Sequence, residues 1–394
     1  MSQQNSERQF GELVFMNGGL LGLLRRLFSI GRKSEVSLPQ FALLLALLTW
    51  LPVAILSLIE SSQNTSESIT FAEDFFVHVR FLLVLPFLVI IIKPVSASFG
   101  LFIENTEQLI EDAQKDEYQK LQDQIQKMLG SSLSDIIFLS LIYLLTFINW
   151  DDMNILGSNR DYLVGEGDHI TLAGWYYLLV SSPLLQLVFI RWLWRWIIWF
   201  YTTYRVTKFK LQMDPLHADH MAGLVYVNLT PLSFSFILIA PSAVLSSLIG
   251  MNIVYNDAAI TEYALQITAY VLILPIILYS PLLLYSPLLV KARTFGIVQF
   301  GDLIREHDKL YAKKWMSETK PHVEDDLLGS ADHSSLADIN GSYQSIQDIT
   351  TIPISLKMIT SSVLFNLLPY IPLIFTYYSP SELFKLLITN VFGS

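Results

Sequence analysis

The segment DPLHADHMAGL, residues 214–224, concentrates side chains that could bind a metal ion. His217, Asp219 and His220 fall within it, although the whole chain has only seven histidines. Imidazole nitrogen and carboxylate oxygen together suit zinc, manganese or iron, and the two histidines would share one face of a helical turn. Two alternatives compete with a metal or catalytic site. Asp214 and Asp219 could each cap the start of a helix, or the loop could recognise an anionic, nucleotide-like ligand.

Membrane-spanning helices must position this loop, because the composition is that of a membrane protein. The 394-residue chain is 52% hydrophobic and 15% charged, with a mean hydropathy of +0.46. It is more apolar and less charged than the average soluble protein. Most apolar runs approach or exceed the roughly 20 residues that cross a bilayer as a helix. They are continuous rather than alternating, which argues against a barrel. The sequence therefore predicts an all-α polytopic membrane protein with about seven spans, near 40–59, 81–103, 135–150, 172–200, 222–250, 263–290 and 353–378.

Lysine and arginine alternate between the connecting segments, which predicts the orientation of the spans. Basic residues gather before the first span and after the second, fourth and sixth, whereas the other loops carry Arg160 alone or none. The N-terminus is then cytoplasmic and the C-terminus outside, in a bacterial inner membrane. Residues 1–38 form an N-terminal interfacial and cytoplasmic segment. Residues 39–394 form a single membrane domain, with cytoplasmic elements at 104–133, 201–221 and 291–351.

Amphipathic patterns continue outside the spans. The stretch LLGLLRRLF, residues 20–28, is predicted to lie along the anionic inner leaflet, with a disordered tail as the alternative. Residues 103–130 predict a soluble amphipathic helix that extends or follows the second span. In the region 291–351 the first half has a helical pattern. The second half is rich in Ser, Asp and Gly, which is typical of a loop.

Two arginines lie four residues apart in the aromatic segment FIRWLWRWIIWFYTTYRV, residues 189–206. Arg191 and Arg195 would face the same side of a helix, among four tryptophans. The simpler interpretation is an aromatic belt whose arginines reach lipid phosphates. The alternative is a pair that lines an anion-attracting vestibule or pairs with loop carboxylates.

Four further residues could shape a path across the membrane. Arg80 and Lys93 bracket twelve apolar residues, a rise of about 20 Å against a hydrocarbon core of about 30 Å. Either both side chains reach opposite interfaces, or one faces a polar path inside the bundle. Pro281 and Pro287 lie in a repeated Tyr-Ser-Pro-Leu-Leu motif of the sixth span, where each can kink the helix. They form a gate or hinge, or they are ordinary prolines of a membrane helix.

The sequence resembles a family of uncharacterised bacterial multi-pass membrane proteins. In that family an Arg/Trp-rich helix leads into a loop of the form His-x-Asp, three variable-to-small residues, then Gly-Leu. The matching positions here are His217, Asp219, Gly223 and Leu224. A later cytoplasmic loop of the family resembles LLGSADHSSLADINGSY, and the closing IPISLKMITSSVLFNLLPYIPLIF is also similar. The later loop matches at Gly329, Asp332, Ser335, Leu336 and Asp338.

This resemblance covers about the C-terminal half of the chain and implies positions rather than an activity, since the family has no assigned one. Two residues depart from its pattern. Ala222 stands where the family usually has glycine, and His220 falls at a variable position. These departures favour His217 and Asp219 over His220 as ligands.

Both loops are predicted to be cytoplasmic, which leads to a metal-site hypothesis. His217 and Asp219, with His220 beside them, would approach Asp332 and Asp338 beneath the membrane, and together they would bind a divalent metal ion. That ion is the only candidate cofactor. The chain has no cysteine, which excludes disulfides, iron–sulfur clusters and Cys-ligated zinc.

Three functions follow from these patterns. The first is an integral inner-membrane channel or transporter-like protein, homo-oligomeric, whose His/Asp loop binds a metal or ligand. Few ionisable residues lie within the spans, which suits a passive path better than a coupled one. The alternatives are a membrane-embedded metal-dependent enzyme and a non-catalytic membrane scaffold. The expected partners are the lipid bilayer and further copies of the chain, and the formal net charge of −10 argues against nucleic acid.

Overall fold

The computed structural model describes residues 18–30, 35–60, 69–148, 160, 162–165, 169–316 and 331–375. These residues form helices and connecting turns, and no β-strand occurs among them. Residues 1–17 and 149–159, together with Gly329 of the second loop motif, lie outside the described residues. The helices in chain order are α1 (Gly19–Phe28), α2 (Leu38–Glu60), α3 (Phe75–Leu109), α4 (Lys115–Gly130), α5 (Ser132–Ile148), α6 (Leu172–Val206), α7 (Val225–Tyr255), α8 (Ile260–Trp315), α9 (Ala331–Gln347) and α10 (Leu356–Ile374).

Six helices are long and apolar enough to cross a membrane, namely α2, α3, α6, α7, α8 and α10. A seventh is obtained if Asp112–Gly130 and α5, which meet at a bend of 40°, count as one broken span. Long apolar side chains such as Leu58, Leu265 and Ile276 remain exposed along these helices, as expected of surfaces that face lipid. An all-α polytopic membrane protein is therefore confirmed for the described residues.

The helix ends gather on two opposite sides of the bundle. On one, called the N-terminal side, the loop after α6 returns to the end of α3, where Gln212 N donates to Leu109 O over 2.7 Å. On the other, called the far side, the backbone N–H of Leu172 at the start of α6 donates to Glu60 at the end of α2 over 3.0 Å. The N-terminal side carries α1, α4, the loop 207–224 and α9.

Packing between α2, α3 and α6 forms the main core. Fully buried side chains such as Leu45, Phe81, Leu85 and Trp199 fill it. The spans are not uniform α-helices, because α3 contains a π-helical stretch at Val79–Val84, and α6 contains another at Tyr177–Ser181. Such stretches widen the helix locally and are frequent at functional positions.

The region between α8 and α10 corrects one expectation from the sequence. Residues 331–347, predicted to be a loop, form the helix α9, which packs against the end of α8. Asp332 bonds to Lys314 and to Trp315 Nε1, and the ring of His333 lies 5.1 Å from that of Trp315. Tertiary contacts of this kind outweigh the low helix propensity of Ser, Asp and Gly. The helical pattern predicted just after residue 291 is real, and it continues the span of α8 to Trp315.

Candidate functional site

The His/Asp loop is organised around the carboxylate of Asp219. Its Oδ1 accepts the backbone N–H of Met221 (2.9 Å) and Gly223 (3.1 Å), and its Oδ2 accepts that of Val225 (3.0 Å). Val225 is the first residue of α7, so the carboxylate caps a helix whose first N–H groups have no partner within the helix. His217 Nδ1 lies 3.0 Å from Oδ1. The structure thus favours the capping alternative for Asp219.

Protonation of Asp219 is governed by these donors. Burial of the side chain by itself raises the pKa of Asp219, and the three backbone N–H groups together with His217 outweigh that effect, so the pKa is lowered. The carboxylate is therefore ionised at neutral pH and already has its oxygens occupied by hydrogen bonds.

The loop backbone is folded tightly around this cap. His220 and Ala222 adopt φ values of 52° and 54°, in the left-handed region, and Gly223 has φ 90°. A side chain is strained at a positive φ, so Ala222 occupies a position that glycine would adopt more easily. Asp214 also holds the turn, because its Oδ1 accepts the N–H of Leu216 over 2.9 Å. Asp214 is then a turn cap, as the structural alternative expected.

The structure does not bring the two acidic loops together, which corrects the metal hypothesis. The loop meets the end of α9 through the bond from Thr350 N to His220 O (2.9 Å). Asp332 lies fourteen residues before Ile346 in α9, about 21 Å along the helix axis. Asp338 is exposed. Across the described ranges no group of three or more His, Asp or Glu side chains could hold a metal ion.

The arginines of α6 form a different and more enclosed centre. Arg191 Nη1 makes an ion pair with Asp135 of α5, and both side chains are buried, with exposed fractions of 4% and 1%. Arg191 Nη2 donates to the carbonyls of Leu129 (3.3 Å) and Gly18 (3.5 Å). The pairing with a carboxylate was one of the alternatives for this arginine. The belt interpretation, with the side chain at the lipid surface, is wrong for Arg191.

The N-terminus of α1 completes this centre. The backbone N–H of Leu20 donates to the Asp135 carboxylate, which adds the partial positive charge of a helix start. Gly19 has φ +72°, and a Cβ there would collide with the Asp135 carboxylate and with the Arg191 guanidinium. A glycine is therefore required at this contact, both by conformation and by space.

Arg195 lies one helical turn from Arg191 and is equally buried. Its guanidinium stacks over the ring of Trp192, 4.7 Å from the ring centroid, a cation–π contact. Arg195 also lines a narrow cleft with Arg25 of α1. The interpretation of Arg195 as part of an aromatic belt at the lipid surface is therefore also wrong.

Lys93, Pro281 and Pro287 lie apart from both centres. Lys93 is exposed on α3, in keeping with the snorkelling alternative. Its sequence partner Arg80 behaves differently, because it bonds to Tyr177 of α6 and joins the π-helical stretches of the two spans. Pro281 is buried inside the 3-10 stretch Ser280–Tyr285 of α8, and Pro287 is exposed two residues after that stretch ends.

An uncharged polar seam connects α7, α8 and α10. Ser242 of α7 bonds to Asn366 of α10, and the Asn366 amide donates to Tyr270 O of α8 over 3.2 Å. Tyr279 of α8 shares a 2.6 Å hydrogen bond with Ser362. Ser242, Ser362 and Asn366 are completely buried. We refer to these five residues as the hydroxyl seam.

Two buried polar clusters are not among the sites that the sequence predicts. Asp135 stands at the start of an apolar run, where a lone acid is itself a sign of a buried polar contact. On the far side, buried Asp74 caps α3 through the N–H of Val77 and pairs with Arg160 and Tyr162. Because Asp74 and Arg160 are far apart in the sequence, no local pattern predicts that they pair.

Comparison with known proteins assigns neither a family nor an activity. No family model matches the chain, and neither the curated proteins nor the solved structures searched contain a match. The resemblance to uncharacterised multi-pass membrane proteins therefore rests on the two loop motifs and the closing segment alone.

Substitution of Asp219 tests the capping role of the loop. In Asp219→Asn the amide nitrogen cannot accept a hydrogen bond, so we expect a loss of about 1–2 kcal/mol in the free energy of unfolding at neutral pH. Because the pKa is lowered in the folded state, the contribution of the carboxylate is present above the unfolded pKa of about 3.9 and is lost as the pH falls through the lower folded value. Detergent-induced unfolding at several pH values measures both effects.

Asp338→Asn is the matched control, because this side chain is exposed and its loss should change stability by less than about 0.5 kcal/mol. His217→Ala should be similarly mild, since half of the imidazole is exposed. Equal stability of Asp219→Asn and the unsubstituted protein would contradict the capping role.

Proposed function

We propose that this protein is a passive channel or transporter-like facilitator of the bacterial inner membrane, with its path along the hydroxyl seam. The observation that carries the proposal is the meeting of three interrupted helices at buried, uncharged polar groups. The interruptions are 3-10 stretches at Ser235–Leu238 of α7, Ser280–Tyr285 of α8 and Leu368–Tyr370 of α10. Interrupted helices at membrane depth are tolerated where they are enclosed by protein or line a cavity, and they form the solute sites of many transporters.

The seam offers donors and acceptors without charge. Serine and tyrosine hydroxyls can both donate and accept, and an asparagine amide does the same through two different atoms. The part of α8 that faces the seam, Ala264–Tyr279, contains no Asp, Glu, Lys, Arg or His, and α7 has none either. A small neutral polar solute fits this chemistry better than an ion, which would need compensating charge or a ring of oxygens.

Pro281 and Pro287 acquire a role in this proposal. Pro281 lies in the non-α stretch of α8 next to the seam, and Pro287 lies just after it. A proline at such a position removes a backbone hydrogen bond and weakens the helix locally. Movement of α8 at this point would separate the hydroxyls of Tyr279 and Ser362 and expose them to a solute. The prolines are then the hinge of the path.

The proposal includes seven crossings with the N-terminus in the cytoplasm and the C-terminus outside. Supporting contacts run along α5 and α6, since Asp135 pairs with Arg191 near the N-terminal side and Tyr143 Oη donates to Leu179 O nearer the far side (2.7 Å). α5 therefore lies antiparallel to α6, which is what a crossing helix requires. Homo-oligomeric assembly remains part of the proposal, with cross-linking in the membrane as its test.

The metal-dependent enzyme is not proposed, because no group of three or more His, Asp or Glu side chains among the described residues could hold a metal ion. The lipid bilayer remains the first partner of the chain.

Flux measurements in proteoliposomes test the facilitator. We expect faster entry of glycerol or urea than in protein-free vesicles, with no dependence on a proton or sodium gradient and no ionic conductance. The paired variant Ser242→Ala with Asn366→Leu removes both hydrogen-bonding partners and should lower the flux about tenfold, the effect of losing about 1.4 kcal/mol of hydrogen bonding to the passing solute.

Thr360→Val is the matched control, since this threonine is on the same helix but exposed and bonded to its own backbone. Its flux should equal that of the unsubstituted protein. If the protein moves neither neutral solutes nor ions, the proposal fails.

Single-cysteine labelling tests the orientation, and the chain suits it because it has no native cysteine. Asp308→Cys, exposed on α8 at the N-terminal side, should react with a membrane-impermeant maleimide only after the cells are opened. Thr261→Cys, exposed on the far side, should react in intact spheroplasts. The reverse pattern would invert the proposed topology.

A further inference from the structure

Three buried polar groups between α6 and α8 have no hydrogen-bonding partner in the part of the chain that the structure describes. They are the indole N–H of Trp199 and the hydroxyls of Thr203 and Tyr285. The exposed fractions of these side chains are 1%, 0% and 0%. A buried polar group without a partner is costly, so three of them in one place require a physical explanation.

The geometry of the two helices places the three groups together. Trp199 and Thr203 are four residues apart on α6, so they lie on one face of that helix. Tyr285 is the last residue of the 3-10 stretch of α8, which packs against α6. The hydroxyls of Thr203 and Tyr285 lie beside each other, but they do not meet the geometry of a direct hydrogen bond. Both hydroxyls therefore keep their hydrogen-bonding capacity for another molecule.

Neighbouring buried hydroxyls, by contrast, are bonded within the protein. Thr202 Oγ1 donates to Ile198 O over 2.7 Å, which is the usual way in which a helical threonine uses its hydroxyl. Tyr226, which is near Tyr285, shares a 3.2 Å hydrogen bond with Thr106. The three unpaired groups are thus a local exception within a well-bonded part of the bundle.

The chemistry of the three groups favours a small hydroxylic molecule. The Trp199 indole can only donate, whereas the hydroxyls of Thr203 and Tyr285 can donate or accept. The oxygen of a water or an alcohol can accept from the indole and still form hydrogen bonds with both hydroxyls. A water enclosed in a protein typically makes about three such bonds to otherwise unsatisfied groups.

We propose that Trp199, Thr203 and Tyr285 bind one small hydroxylic molecule, either a fixed water or the hydroxyl group of a passing solute. Tyr285 follows Tyr279 of the hydroxyl seam by six residues, about 12 Å toward the N-terminal side at the rise of a 3-10 helix. The site thus lies between the seam and the N-terminal side. Its existence does not depend on the proposed transport activity, and only the identity of its occupant does.

Thermal unfolding of the full-length protein in detergent tests whether the site is occupied. Tyr285→Phe and Thr203→Val each remove one hydroxyl with little change in shape. If a molecule is bound, each substitution removes one of its partners, and the unfolding midpoint should fall by about 1–3 °C. If the groups are simply unpaired, removal of a buried polar atom should raise the midpoint or leave it unchanged, and that result would overturn the assignment.

The double variant tests whether both hydroxyls bind the same molecule. Its midpoint should fall by less than the sum of the two single effects, because the loss of one partner already weakens the binding of a shared molecule. Single effects that simply add would contradict a shared occupant. Tyr204→Phe, which removes an exposed hydroxyl from the same helix, is the matched control and should leave the midpoint unchanged.

Glycerol flux into proteoliposomes identifies the occupant. A fall of about tenfold in Tyr285→Phe and Thr203→Val, together with lowered midpoints, would assign the site to the passing solute. Unchanged flux together with lowered midpoints would assign it to a fixed water. If the unsubstituted protein conducts no solute, the proposed function fails, whereas lowered midpoints in the two variants would still uphold a water site.

Discussion

The buried ion pair between Arg191 and Asp135 is the interaction on which the N-terminal side of this protein depends. Two charges withdrawn from solvent are costly unless every hydrogen-bonding position is used. Here the carboxylate also accepts the N–H of Leu20, while the guanidinium donates to the carbonyls of Gly18 and Leu129. One pair thereby fixes the start of α1, the junction of α4 with α5, and the middle of α6.

Buried carboxylates serve the same structural purpose at three separate places. Asp135 accepts an N–H from the start of α1, Asp74 caps α3, and Asp219 caps α7. In each case an acid and the unpaired donors of a helix start satisfy one another, which explains why acids are retained in an otherwise apolar bundle. The hydroxyl seam of α7, α8 and α10 contains no such charge, and its buried polar groups bond to one another instead.

Much of this architecture can be predicted from the sequence, because each membrane span is a long continuous run of apolar residues. The apolar runs locate all six long helices, and the single acid Asp219 before an apolar run already indicates a cap. Interactions between distant segments left no such signal. The partner of Arg191 is 56 residues away, and the hydroxyl seam joins residues that are more than 80 positions apart. The helix α9 was missed because its contacts with α8, rather than its own propensity, stabilise it. The clustering of His217 and Asp219 in sequence suggested a metal site, whereas the backbone uses that carboxylate as a cap.

A double-mutant cycle on Asp135 and Arg191 tests the central claim most directly. Asp135→Asn, Arg191→Gln and the double variant would be unfolded by detergent titration in mixed micelles. If the pair fastens α1, α5 and α6, each single variant loses about 3–5 kcal/mol of stability, because one buried charge is left without compensation. The double variant then loses less than the sum, with a coupling energy of about 1–3 kcal/mol. Losses that add to within about 0.5 kcal/mol would contradict the account, since they would show that the two side chains act independently.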